Sequence, residues 1–125
     1  MVVSIQNVTT YSVLVARLVG ELRRARSSLD QKQFAEKLGV SQSTWSRAEA
    51  GQVGLSLDQL AAAADVLGVK PAQILAHAET AIEHLKRRGV TVLIGKDAAK
   101  DDQSFAYLGA AALGALVAAI LAKGK

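Results

Sequence analysis

The sequence predicts an all-α fold of five helices, followed by a short strand and an apolar C-terminal helix. Three observations carry that expectation. Half of the 125 residues are apolar and only five are aromatic, so the core must be aliphatic and rich in good helix formers. The apolar residues recur at spacings of three and four, the period of one helix face. Serine, aspartate and glycine stand where those periodic stretches begin and end, as helix caps do. The length suits one small domain plus an extension: a strand-like arm at 1–9, a helical domain at 10–88 and an extension at 89–125.

The first periodic stretch starts at Ser12, where Leu14, Leu18, Leu22, Ala25 and Leu29 follow at intervals of four, four, three and four. Arg17, Glu21, Arg23, Arg24 and Arg26 fall mainly off this stripe. Val15 and Val19 form a second apolar strip, which is expected to face a partner. Asp30 then precedes Gln31-Lys32-Gln33, and an acidic cap with Gln three residues on satisfies two orphan N–H groups reciprocally. Helix two buries Phe34, Ala35 and Leu38 and stops at Gly39.

Only Gly39-Val40-Ser41 separates helix two from helix three, which Ser41 caps and which runs from Gln42 to Ala50 before Gly51. Two short helices joined so tightly cross steeply, as in a helix-turn-helix. Ser56 caps helix four, whose stripe is Leu57, Leu60, Ala64 and Leu67 and whose stop is Gly68. Pro71 sits in the first turn of helix five, where proline is tolerated. Ile74, Ala78, Ile82 and Leu85 carry that helix to Arg88 and Gly89.

Beyond it, Val90-Thr91-Val92-Leu93-Ile94 reads as a strand by its β-branched content. Val2-Val3-Ser4-Ile5 is the other strand-like stretch, so the two are expected to pair, within one chain or across a dimer. Lys96 to Gln103 is a charged linker. Phe105 to Ala122 is an uncharged run of 18 residues.

With no cysteine, a disulfide framework, a thiolate zinc site and a cysteine nucleophile are excluded, which fits a reduced, cytoplasmic setting. Met1 to Gln6 has no basic region leading into a long apolar run, so no signal peptide is expected, and Asn7-Val8-Thr9 is a chance glycosylation sequon. His77 and His84 share a face of helix five but lack a third ligand, so they read as surface histidines and no metal is expected. No catalytic constellation or cofactor motif is present in context. The net charge of +4 is unevenly spread: +3 over residues 1–50, −3 over 51–85, +4 over 86–100 and zero thereafter. Such segregation suits a protein that offers one face to a polyanion.

The stretch Leu22-Arg23-Arg24-Ala25-Arg26, then Asp30 through Gly51, then Leu60 with Ala64-Asp65-Val66-Leu67-Gly68-Val69, resembles the lambda repressor and Cro (XRE-like) family of DNA-binding helix-turn-helix domains. The resemblance covers about residues 17–75. It implies a five-helix lambda-repressor-like domain that binds double-stranded DNA as a homodimer, a transcriptional regulator and most naturally a repressor. By the same likeness Gln31 and the start of helix two grip a DNA phosphate, with Lys32, Ser41 and Ser56 as further backbone contacts. Arg24 and Glu49 match positions that form an internal ion pair.

The residues support a reading of their own. A helix end that enters the major groove needs bond-capable polar side chains on its outer face. Gln42, Ser43, Ser46 and Arg47 supply them, while Trp45 and Ala48 fall on the opposite side and should pack against Phe34, Leu38 and Leu60. The loop Gln52-Val53-Gly54-Leu55-Ser56 departs from the family in carrying no cation, and each cation missing from a phosphate removes about 0.9 from the salt slope. Dimerisation would restore affinity.

The C-terminal run leaves three readings open. A helix of its length spans about 27 Å against a hydrocarbon core of about 30 Å. Leu108, Leu113, Gly114, Leu116, Val117 and Ile120 would then build a dimer interface in a soluble regulator, or a tether at the cytoplasmic face of the inner membrane. The third reading has residues 105–122 cover a partner protein, as in an antitoxin with autoregulatory DNA binding.

Overall fold

The computed structural model describes residues 8–94. Five helices, α1 (Tyr11–Arg26), α2 (Gln31–Leu38), α3 (Gln42–Glu49), α4 (Leu57–Leu67) and α5 (Pro71–Arg87), are framed by two three-residue strands, β1 (Val8–Thr10) and β2 (Thr91–Leu93). The expectations placed on residues 105–122, and on Val2 to Ile5 as a strand, lie outside the described residues. No helix among the described residues is long and apolar enough to cross a membrane.

Local chemistry sets the helix ends. Gln33 N donates to Asp30 Oδ1 at 2.8 Å and Asp30 N to Gln33 Oε1 at 3.0 Å, closing the reciprocal cap of α2. Ser56 and Gln59 repeat the arrangement at α4, and Ser41 Oγ accepts from Thr44 N at 3.1 Å to start α3. Helices α2 and α4 both end on a left-handed glycine, Gly39 and Gly68, a conformation that costs other residues steric strain.

Helix α1 is the axis of the domain, packed by α3, α4 and α5. Because three helices surround it, its second apolar strip is interior: Val15 is 4% exposed and Val19 is fully buried. The expectation that these two valines face a partner is therefore overturned. The predicted stripe also runs too far. Ser27 takes an extended conformation and ends α1, so Ala25 is exposed in the last turn and Leu29 packs onto the core from the connecting segment. In α4 the buried face is Leu60, Ala63 and Ala64, whereas Leu57, expected in the stripe, is 80% exposed in the first turn.

The strand at 91–93 pairs within the chain, but with Val8–Thr10. The pairing is parallel, with Val8 opposite Thr91, Thr9 opposite Val92 and Thr10 opposite Leu93. Thr10 then caps α1, its Oγ1 accepting from Val13 N at 3.2 Å. Since β1 is wholly buried and Val90 packs in the core, both strands belong to the helical domain. Burial continues past the glycine stop at Gly89, with Val90 in the core.

The loop between α3 and α4 lies against the start of α1. A Cβ at Gly54 would fall 2.0 Å from Ser12 Oγ and 2.6 Å from Ser12 Cβ, far inside contact distance. Gly54→Ala is expected to cost about 1–3 kcal/mol through overpacking, read as a lowered denaturation midpoint. An unchanged midpoint would contradict this close approach.

Candidate nucleic-acid interface

The interface is built on α2, a three-residue turn and α3. Gly39 N and Val40 N donate to Glu36 O and Ala35 O, folding the chain back over the end of α2. The Phe34 and Trp45 rings, 5.1 Å apart at 41°, lock the two helices together, and both side chains are essentially buried. With Trp45, Ala48 and Glu49 inward, the 3.6-residue period turns the other face out. Gln42, Ser43 and Arg47 are exposed there and Ser46 is half-buried. The side chains of Gln42 and Arg47 make no hydrogen bond or ion pair with the described residues, so both are available to a ligand.

Ser41, Ser43 and Thr44 share hydroxyl contacts at the start of α3. Ser41 Oγ donates to Thr44 Oγ1 at 2.8 Å and lies 3.2 Å from Ser43 Oγ. Ser41 therefore acts first as the cap of α3. Ser56 likewise caps α4 from an exposed position, and Lys32 is exposed in the first turn of α2. At the N-terminus of that helix stands the Asp30 carboxylate, which already occupies one of the amides expected to bind phosphate. Gln31 also turns inward, its Nε2 donating to Glu49 Oε1 at 2.9 Å.

Glu49 is the hub behind the exposed face. Its side chain is 2% exposed, and Arg23 binds it with both Nε, at 2.6 Å to Oε2, and Nη2, at 3.0 Å to Oε1. Arg24 Nη1 reaches Oε1 at 3.2 Å, and Trp45 Nε1 donates to Oε2. The pair expected between Arg24 and Glu49 is thus present, but Arg23 is the tighter partner. Arg23 is not off the buried face as its place beside the stripe implied; its Nη1 also donates to Leu29 O at 2.9 Å. Arg24 divides its guanidinium between Glu49 and Glu21. Burial pushes the Glu49 carboxyl up, but the donors Arg23, Gln31 and Trp45, with the Arg23 charge, outweigh it and hold the group below its ordinary value. Arg17, buried beside the cluster, is likewise held below its ordinary value, by burial first and then by the Arg24 charge, against the opposing pull of Glu21 and Glu49.

The glycine that makes room for the hub is Gly20. A Cβ there would lie 3.0 Å from Glu49 Cγ and 3.2 Å from Cδ, so α1 and α3 approach closely only without a side chain. A glycine inside a helical pattern costs about 1 kcal/mol relative to alanine, and that anomaly was the sequence signal for a close approach.

A helix-turn-helix domain family model matches residues 15–76. No curated protein and no solved structure gives a significant match. The matched span begins inside α1, ends inside α5 and contains the whole α2–turn–α3 unit together with its Glu49 hub. Residues 15–76 thus form a helix-turn-helix domain, in keeping with an XRE-like DNA-binding family.

Proposed function

We propose that this protein is a sequence-specific transcriptional regulator of the XRE type, acting in the cytoplasm as a repressor that occupies a palindromic operator. In this reading a homodimer places one α3 in each of two half-sites about one helical turn apart. The action is binding rather than catalysis. The observation that carries the reading is the outer face of α3. Its leading polar side chains are exposed on a helix whose opposite face is anchored by Trp45 and Glu49.

Each residue has a role in that proposal. Arg47 reads guanine O6 and N7, and Gln42 reads adenine N6 and N7. Ser43 and Ser46 add contacts of lower selectivity. Lys32 neutralises a backbone phosphate, and the Ser41 and Ser56 hydroxyls sit at helix starts that favour anions. Gln31 keeps a second amide hydrogen for a phosphate while the first holds Glu49.

Binding-site selection followed by affinity measurement at several salt concentrations tests these roles. Arg47→Ala is expected to lose about 1–3 kcal/mol of discrimination at one base position. Lys32→Ala should weaken all sequences alike and lower the salt slope by about 0.9 for each phosphate that is no longer neutralised. If both variants select and bind duplexes as the unmodified chain does, the roles assigned to α3 and to the start of α2 are wrong.

A further inference from the structure

Four of the five described helices begin at a side-chain cap, and three of those caps are neutral hydroxyls: Thr10 for α1, Ser41 for α3 and Ser56 for α4. Helix α2 begins instead at a carboxylate, that of Asp30. Capping does not need the charge. Ser56 and Gln59 close at 3.1 and 2.9 Å the same reciprocal bonds that Asp30 and Gln33 close at 2.8 and 3.0 Å, and serine and aspartate rank alike as caps. Gln33 N takes up Oδ1, while Oδ2 accepts nothing from the described residues. No cation among those residues lies within ion-pair distance of the group, although Lys32 stands exposed two positions on. The carboxylate therefore turns its charge to solvent. A helix N-terminus carries only about half a positive charge, so at the start of α2 the sum is negative.

That sum has the wrong sign for a polyanion. In the reading above, Gln31 and Lys32 meet the DNA backbone, and Asp30 directly precedes them in the chain. We propose that the Asp30 carboxylate sets the affinity of the domain for duplex DNA by repelling the backbone phosphate nearest the start of α2. The inference rests on the DNA reading and adds to it a group that opposes binding. A unit charge about 7 Å from a phosphate, in a medium of effective dielectric about 40, changes affinity roughly sevenfold. Because the repulsion acts on phosphate, it weakens every sequence alike and leaves base preference to α3. A lone domain is thereby held weak, and stable occupancy falls to two domains joined on neighbouring half-sites.

The test is fluorescence anisotropy on two labelled duplexes, one of selected and one of unrelated sequence, at a salt concentration where screening acts over about 10 Å. Asp30→Ser and Asp30→Asn both keep a capping side chain and remove the charge. Each is expected to bind both duplexes roughly threefold to tenfold more tightly than the unmodified chain, with a gain that shrinks as salt rises. Glu36→Gln removes an equal charge from an exposed position of the same helix, about 9 Å further along its axis, and should give a smaller gain. Denaturation midpoints measured alongside establish that each variant is folded. If the unmodified chain binds duplex and neither Asp30 variant binds more tightly, the proposal is overturned while the DNA reading stands. An equal gain in Glu36→Gln overturns it too, since overall charge is then the cause, as does a gain confined to one duplex. If neither the unmodified chain nor any variant binds a duplex, the DNA reading fails and the proposal falls with it.

Discussion

Replacing Glu49 with glutamine is expected to remove about 3–5 kcal/mol of folding stability, the cost of leaving a buried ionic partner uncompensated. Arg23 is the group left behind. It is buried, and its Nε and Nη2 both aim at the carboxylate. Glutamine offers one acceptor oxygen where the carboxylate offers two, while five donated bonds from Arg23, Arg24, Gln31 and Trp45 converge there. The effect should depend on pH with a definite sign. Because the folded-state pKa of Glu49 lies below its ordinary value of 4.5, its contribution is fully present above that value. It is lost as pH falls through the lower folded-state value. Denaturant titrations of both proteins should therefore show a gap at neutral pH that narrows in acid. A gap that stays constant through the acid range would contradict the ionised hub.

Trp45→Ala should be comparably severe, at about 3–5 kcal/mol for a large aromatic truncated in a core. The indole is buried against Phe34, and its N–H is one of the bonds that hold Glu49. Truncation opens a cavity between α2 and α3 and also removes a donor from the hub. Trp45→Phe separates the two effects: it keeps a ring beside Phe34 and leaves the carboxylate one donor short, for about 1–3 kcal/mol. Chemical denaturation midpoints of the three proteins, compared at unchanged slope, measure this order. Equal midpoints for Trp45→Ala and the unmodified chain would show that the indole does not set the α2–α3 packing.

What was legible in the sequence was local. The Asp30–Gln33 and Ser41 caps, the Gly39 turn and the inward side of Trp45 follow from spacings of one helical turn, and the structure has each of them. What was not legible depends on residues far apart in the chain. Val15 and Val19 resemble a partner-facing strip until α3, α4 and α5 close around α1. Arg23 and Gln31 meet Glu49 across 26 and 18 positions, and no periodicity brings them together. Strand β1 is short, two of its three residues are polar, and it is defined by its pairing with β2. Leu57 keeps the helical spacing of its stripe yet sits in the first turn, beyond the reach of the core. For the exposed face of α3 the sequence sufficed, because Gln42, Ser43, Ser46 and Arg47 stand out wherever Trp45 and Ala48 turn in.

The central claim is that this face touches bases, and an amide-resolved titration of the protein with its selected duplex tests it most directly. At low ionic strength, where phosphate attraction is strongest, the largest shifts are expected at Gln42, Ser43, Ser46 and Arg47, with smaller ones at Lys32 and Ser56. Shifts confined to other surfaces, or a spectrum that duplex DNA leaves unchanged under those conditions, would contradict it.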